Sequence, residues 1–315
     1  MKYRQLGRSG LRVSEVSLGS WLTLGKTVDL KHTRTIVQRA FELGVNFFDT
    51  ADVYAGGAAE EALRHGLEGI PRHHVVLATK AFFPMSERPN DRGLSRKHLF
   101  ESVEGSLRRL GTEYLDLHQC HRFDPATPLE ETVRAYEDLV RAGKLFYWGV
   151  SEWKASEIES ACRVAEQCGA YKPTSNQPQY SILYRRVERD VIPVSTREGL
   201  GQVVWSPLAQ GVLTGKYAGA TKPSGTRAAD PEQSVFMQRF LEPETLARVE
   251  KLRPVASEAG LSLAGLALAW CLRQGNVSSV IVGATRVEQI DENVEAAGVV
   301  LSPDVLAQID ALFPL

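Results

Sequence analysis

Cysteine is scarce in this chain, with Cys120, Cys162, Cys168 and Cys271 the only four among 315 residues. No two of them form a CxxC pair, which excludes the disulfide framework of small secreted proteins and fits a reducing compartment such as the cytoplasm. An excess of one charge is also missing: 37 basic residues face 38 acidic ones for a net charge of −1. No global field is then available to hold a nucleic acid or an anionic membrane. The opening stretch, Met1 to Gly10, is polar and lacks the apolar core of a signal peptide, so no export is expected. The most apolar run, Leu263 to Leu272, is about half the length that a membrane span needs, so a soluble protein without membrane insertion is expected. A GxGxxG turn after a first strand is absent as well, and with it the usual Rossmann phosphate loop.

What remains is an ordinary globular composition, 43% hydrophobic and 24% charged, able to bury a large core. A single domain over 1–315 is expected. Short β-branched or aromatic runs alternate with amphipathic stretches, the pattern of a parallel sheet whose strands are each followed by a covering helix. Candidate strands end near Gly19, Asp49, Lys80, His121, Ser151, Gln177, Ser206 and Gly283. These are the strands of a (β/α)₈ TIM barrel, an α/β fold. Two short runs before them, Tyr3 to Leu6 and Leu11 to Val13, read as a β-hairpin lid across Gly7 and Ser9-Gly10. Leu99, Val103, Leu107 and Leu110 recur at helical spacing, as do Leu129, Val133, Tyr136 and Val140. Thr127-Pro128-Leu129-Glu130 predicts a capping box with proline at the first helical position, and Gly143 ends that helix. Leu208 to Phe240 breaks the rhythm and is expected to be a functional loop, and Ser302-Pro303-Asp304 opens a helix among extra C-terminal helices.

Barrel enzymes work at the C-terminal ends of their strands, where the following loops converge on the axis. The candidate strand ends carry Ser20-Trp21, Asp49, Lys80, His121, Ser151, Asn176-Gln177, Ser206 and Gly283 to Arg286, so polar groups gather at one rim. In Val45 to Tyr54 and Val75 to Lys80, a carboxylate, a phenol and an ammonium can meet. A free phenol, with a pKa of about 10, is a poor acid, and an adjacent ammonium favours its ionised form. The plain alternative is a structural ion pair of Asp49 with Lys80, Tyr54 packing in a loop. His118, Cys120 and His121 invite a zinc reading. Residues three apart on a strand face opposite ways, so no metal is expected; His118 should pack outward and Cys120 should be an inert buried thiol.

Over its whole length the sequence resembles the aldo-keto reductase superfamily. The likeness is carried by Asp49-Thr50-Ala51-Asp52-Val53-Tyr54, by Lys80, by Tyr114 to Arg122, by Gly149-Val150-Ser151, by Ser206 to Gly211 and by Gly283 to Asn293. Leu18 to Gly25 and Tyr54 to Glu60 resemble most the group holding the potassium-channel β subunits and their bacterial relatives. This resemblance implies NADPH-dependent reduction of aldehydes and ketones, with Tyr54 the general acid, Lys80 and Asp49 tuning it, and His121 orienting the carbonyl. Channel β subunits often carry asparagine at the His121 position, so the histidine favours an enzyme over a regulator. Two departures stand out: Ala55 follows the tyrosine where glycine is commoner, and Val282-Gly283 replaces a Pro-Lys pair that usually serves the 2′-phosphate.

For the cofactor, Thr285-Arg286-Val287-Glu288 predicts a capping box after the last strand, whose helix N-terminus suits a phosphate. Arg286, Lys216 and Arg227 are the basic residues for a 2′-phosphate. The resemblance implies that Ser206 to Lys216, with Pro207, Leu208, Ala209, Gly211 and Leu213, closes over the pyrophosphate. By the same resemblance Gln289 and Asn293 meet the adenine end, Glu292 is a further cofactor-binding residue, and Ser151, Asn176 and Gln177 hold the nicotinamide amide. Trp205 should offer its face to the nicotinamide ring. Gly19, Ser20, Trp21, Asp49 and Gly283 complete the cofactor-side rim, with Trp21 lining the substrate side. The expected partner is a small carbonyl substrate, with no nucleic acid; a homo-oligomer stays open. The competing expectation is an NADP(H)-binding regulatory module with slow reductase activity.

Overall fold

In the computed structural model, which describes residues 1–220, 223 and 226–315, the alternation of the sequence becomes a closed cylinder. Strands β1 (Tyr3–Gln5) and β2 (Arg12–Ser14) form an antiparallel hairpin. The barrel strands are β3 (Val16–Gly19), β4 (Phe47–Asp49), β5 (Val76–Ala81), β6 (Leu115–Cys120), β7 (Leu145–Ser151), β8 (Ser175–Gln177), β9 (Gly201–Val204) and β10 (Val277–Val282). They pair in parallel in chain order, and β10 closes the ring on β3 through Val280 opposite Val16 and Val282 opposite Leu18. The expected strand ends fall within two residues of the observed ones.

The covering helices are α1 (Leu30–Glu42), α2 (Ala58–Gly66), α3 (Arg96–Leu110), α4 (Leu129–Arg141), α5 (Ala155–Cys168) and α6 (Val191–Glu198). Then come α7 (Pro231–Ser234), α8 (Pro243–Glu250), α9 (Leu252–Glu258), α10 (Leu263–Leu272), α11 (Val287–Val294) and α12 (Pro303–Leu312). Several start where a donor is satisfied or a proline is tolerated: Ser95 accepts from the His98 N–H before α3, and Pro303 opens α12 behind Ser302. Helix α10 is apolar on every side because every side is buried. Among the described residues no single helix is long and apolar enough to cross a membrane.

Side chains alternate across each strand, and this sorts the core into two parts. Phe47, Val76, Ala78, Leu117, Val203 and Ile281 point inward and fill the barrel with Leu6 and Val13 of the hairpin. The larger cluster lies between strands and helices, with Phe48, Leu77, Cys120, Trp148 and Val204 facing outward. At roughly 1.5–3 kcal/mol for each large apolar side chain fully buried, these two layers supply the main driving force for folding.

Several expectations fail at the ends of elements. The hairpin is no lid over the mouth: Ser278 donates to Gln5 O at 2.9 Å, Arg8 N–H to Gly199 O at 2.9 Å, and Ser14 N–H to Asn46 Oδ1 at 2.7 Å. All three partners stand at or before the N-terminal ends of barrel strands, so the hairpin plugs the floor. The capping box before α4 does not form, because the Thr127 hydroxyl donates instead to Asp124 Oδ2 at 2.7 Å and Pro128 caps without a side-chain bond. The second predicted box fails likewise. Helix α11 starts behind Arg286 with no side-chain cap, and Gln289 reaches back to accept from Thr285 N–H at 2.8 Å. The expected functional loop from Leu208 to Phe240 is a strap with short local order, tight 3₁₀ turns at Ala209–Thr214 and Gln238–Phe240 and the short α7. Its positions 221, 222, 224 and 225 lie outside the described residues.

Candidate active site

The mouth of the barrel is built by the last inward positions of its strands. Asp49 is the third residue of β4 and follows Phe47 into the lumen, while Lys80 follows Ala78 on β5. Their side chains therefore share one face. Lys80 Nζ donates to Asp49 Oδ2 at 2.6 Å, to Thr50 O at 2.7 Å and to the Tyr54 hydroxyl at 3.4 Å. Gln177 Nε2, at the end of β8, donates to the other Asp49 oxygen at 2.8 Å. Lys80 is fully buried and Asp49 is 3% exposed, so neither charge is screened by water.

Tyr54 arrives by a sharp turn. After Asp49 the chain stays tied to β5 through Thr50 N–H to Ala78 O and Asp52 N–H to Lys80 O, and then enters a 3₁₀ turn at Tyr54–Gly57. Ala55 takes a φ of 50° in that turn. This is left-handed backbone that usually calls for glycine, and it aims the phenol back over the barrel axis.

Burial pushes the Tyr54 phenol above its ordinary pKa, and the Lys80 ammonium opposes that rise only in part. The sequence-based expectation of a net lowering is therefore reversed: desolvation wins, and the hydroxyl stays protonated at neutral pH. Burial pulls Lys80 down, but Asp49 and Tyr54 outweigh it and hold the ammonium above its ordinary range. The proton inventory is a phenol and an ammonium in hydrogen-bond contact.

Of the two β6-region histidines, His121 faces this group. Its ring stands edge-on to Tyr54 with centroids 5.6 Å apart. Burial, Lys80 and Arg122 hold its pKa well below the usual histidine range, so it is a neutral imidazole, and its buried Nδ1 has no partner among the described residues. His118 points the other way: its Nδ1 meets the Tyr136 hydroxyl of α4 at 2.9 Å, and burial drives its pKa down to about 3. Cys120 shares Tyr136, and burial raises its thiol to about 12, the inert state expected. Among the described residues no group of three or more His, Cys, Asp or Glu side chains is placed to hold a metal.

On the cofactor side, Ser151 Oγ donates to Gln177 O at 2.9 Å and Ser20 Oγ to Thr50 Oγ1 at 2.8 Å, both at the rim. Asn176 is a correction. Its neighbour Gln177 takes the inward position, so Asn176 faces out of the barrel and its Nδ2 donates to Gln202 Oε1 at 3.1 Å. Trp205 lies edge-on to Trp21 at 5.9 Å, and its Nε1 donates to Glu152 Oε1 at 2.9 Å. Sequence reasoning missed Glu152, whose signal was its place directly after Ser151 at a strand end. It also missed Gln179, Phe236 and Arg239, which line a cleft of about 420 Å³ with Trp21, Trp205 and Gln210.

Three cations converge beside the strap after β9. Partial desolvation, with Arg227 and Arg286 nearby, draws the Lys216 ammonium below its ordinary pKa. Burial lowers Arg227 too, and its side chain donates to Gln210 Oε1. Neither Lys216 nor Arg227 meets a carboxylate among the described residues, and Arg286 reaches only Glu288, at 3.7 Å. Gly211 takes a φ of 92°, left-handed backbone that strains any residue with a Cβ, and it lets the Lys216 ammonium come close to the turn. Thr285, Arg286 and Glu292 are exposed, Gln289 half-buried and Asn293 buried along α11 and its approach. Two cations without a carboxylate partner among the described residues, and a third at a helix N-terminus without a side-chain cap, form a donor set that suits a phosphorylated nucleotide.

A family model for aldo/keto reductases matches residues 15–313. The chain belongs to the aldo/keto reductase family. It is 47% identical over 317 residues to a probable voltage-gated potassium channel subunit beta of Oryza sativa subsp. japonica, covering 99% of this chain and 96% of that protein. A probable channel subunit beta of Arabidopsis thaliana is 45% identical, over 98% and 96%, and a putative one of Schizosaccharomyces pombe is 42% identical, over 98% and 92%. The reductase therefore sits in the channel-β-like branch. Membership and the Asp49, Tyr54, Lys80 and histidine arrangement together make it a carbonyl-reducing oxidoreductase with tyrosine as general acid.

Beneath the tyrosine turn lies one buried acid that this chemistry does not use. Asp52 is 1% exposed and accepts from Ser102 Oγ at 2.8 Å with one oxygen, while the other has no partner among the described residues. Burial raises its pKa to about 7. An acid whose folded pKa exceeds its unfolded value takes up protons on folding, so stability falls as pH rises from about 4 to about 7 and stays lower above that. Asp52→Asn should thus stabilise the reductase by a few kcal/mol at pH 8 and by almost nothing at pH 4. Thermal melts of both proteins across that range check it; a constant difference would contradict the burial of an ionising Asp52.

Proposed function

We propose that the reductase uses NADPH to convert small aldehydes or ketones to alcohols, with Asp49, Tyr54, Lys80 and His121 as its working group. The reading is carried by the hydrogen-bonded contact of the Tyr54 hydroxyl with a buried ammonium. Bound NADPH would supply the hydride. Neutral His121 donates to the carbonyl oxygen and fixes its position beside Tyr54. As negative charge develops on that oxygen, Tyr54 transfers its proton, and Lys80 stabilises the phenolate left behind. Asp49 balances Lys80 and holds it in place. The reduced alcohol leaves with one added hydride and one added proton, and solvent reprotonates Tyr54.

Ser151 and Gln177 suit the nicotinamide amide, and Trp205 and Trp21 frame the ring. Lys216, Arg227 and Arg286 suit the phosphates, behind the strap from Ser206 to Lys216. The preference for NADPH over NADH rests on that cationic cluster, since NADH lacks the 2′-phosphate. Arg286→Ala should raise the Kd for NADPH by about 10-fold or more and leave the NADH value nearly alone. Fluorescence titration with both cofactors reads this, and equal weakening would remove Arg286 from the 2′-phosphate. A single unit over 1–315 in a reducing cytoplasm suits four unpaired cysteines.

The names of the relatives favour one second reading, a channel-associated regulator that binds NADP(H) tightly and turns over slowly. Steady-state rates on a panel of aldehydes decide between them. The reductase reading expects multiple turnovers per second-scale assay on at least one aldehyde, and tight NADPH binding without turnover would support the regulator.

A further inference from the structure

The mouth of the barrel also carries a cation that no carboxylate neutralises among the described residues. Arg122 follows His121, and its Nη1 donates to the His121 carbonyl at 2.5 Å. Its guanidinium stands 5.4 Å from the Phe83 ring centroid, and Phe83 in turn packs edge-on against the His121 imidazole at 4.8 Å. The charge is thus pinned to the wall that holds His121, close enough to Tyr54 and His121 to act on both electrostatically. Among the described residues it forms no ion pair, whereas the surface arginines Arg34, Arg96 and Arg134 each meet an acid. Arg122 is half-exposed, so the unused donors of its fork can reach a molecule in the mouth.

A second guanidinium with no acid partner among the described residues lines the neighbouring cleft. Arg239 Nη2 donates to Gln179 Oε1 at 2.5 Å, and its plane lies over Tyr184 and Phe240. This wall also holds one carboxylate, Glu152, one of whose oxygens accepts from Trp205 Nε1 and from Gln179 N–H at 2.5 Å, so two guanidinium groups stand against a single acid. The mouth is therefore positive on balance and aromatic on its flank. A planar guanidinium fork matches carboxylate and phosphate oxygens, and a partly desolvated cleft strengthens the attraction.

We propose that Arg122 is a specificity-determining residue that selects carbonyl substrates bearing an anionic group, a carboxylate or a phosphate, a few bonds from the carbonyl. This rests on the reductase reading, because the carbonyl oxygen must lie between Tyr54 and His121 for the anion to reach the next residue. The class selected is short acidic aldehydes and ketones, with Trp21 and Phe236 covering the carbon chain.

The test uses matched pairs at saturating NADPH: succinic semialdehyde against its methyl ester, and glycolaldehyde phosphate against glycolaldehyde. The wild-type reductase should favour the charged member of at least one pair by about 10- to 100-fold in kcat/KM, and the pair that responds tells carboxylate from phosphate. Arg122→Met should collapse that ratio toward one, chiefly by raising KM for the charged member, and Arg122→Lys should restore part of it. Both members of a pair need Tyr54 and His121 equally, so damage passed to His121 lowers both rates and leaves the ratio in place. An unchanged ratio in Arg122→Met overturns the proposal, as do equal wild-type values within both pairs while neutral aldehydes still turn over. Should no aldehyde of any kind react, the reductase reading fails by itself. Binding of succinamate against succinamide to the NADP⁺ complex, read by fluorescence of the cleft tryptophans, then decides. Preference for the anion that Arg122→Met abolishes supports the assignment, and equal binding overturns it.

Discussion

Tyr54→Phe is expected to lower the rate of aldehyde reduction by about 10²–10⁴-fold while the Kd for NADPH barely moves. The ring itself would remain, edge-on to His121 and 4.9 Å from the Lys80 ammonium, so the pocket keeps its shape. Only the hydroxyl goes, and with it the one protonated group in contact with Lys80 at the open end of the barrel. The loss should therefore appear in kcat and in kcat/KM together, the signature of an interaction made in the transition state. Stopped-flow reduction and a fluorescence titration on the same preparation give both quantities. Equal loss of rate and of cofactor affinity would show that the hydroxyl holds the nucleotide instead.

Lys80→Met should damage both chemistry and fold. It strands the Asp49 carboxylate, 3% exposed, with Gln177 as its remaining side-chain donor. Leaving a buried charge without its counter-ion costs about 3–5 kcal/mol. Denaturant unfolding should show that loss, and adding Asn at position 49 to the same chain should recover most of it, because the amide removes the stranded charge. Activity should stay lost in the double variant, since the stabiliser of the phenolate is still missing. A double variant as unstable as the single one would mean that Lys80 supports the barrel through its bond to Thr50 O and its buried stem more than through Asp49.

Much of this was legible in the residues because barrels write their working groups at strand ends. Asp49, Lys80 and Ser151 lie at inward positions of their strands, and the period of two that places them there also turns His118 outward against Tyr136. The same period would have corrected Asn176: with Gln177 inward, its neighbour had to face away. Three matters were not legible. The hairpin reads alike whether it covers the floor or the mouth, and only its bonds to Gly199, Ser278 and Asn46 decide for the floor. Capping boxes at Thr127 and Thr285 were outbid by closer partners, Asp124 and Gln289, which a local pattern cannot weigh. The direction of the Tyr54 shift depends on how much water the finished pocket excludes, a property of the assembled mouth and of no segment alone.

The central claim is that hydride passes from the nicotinamide to a carbonyl carbon seated beside Tyr54. Reduction of an aldehyde with NADPH deuterated on a chosen face of C4, followed by mass spectrometry of the alcohol, tests it most directly. The alcohol should be labelled at the carbinol carbon from one of the two faces and unlabelled from the other. Firm binding of NADPH with no labelled alcohol from either face would contradict it.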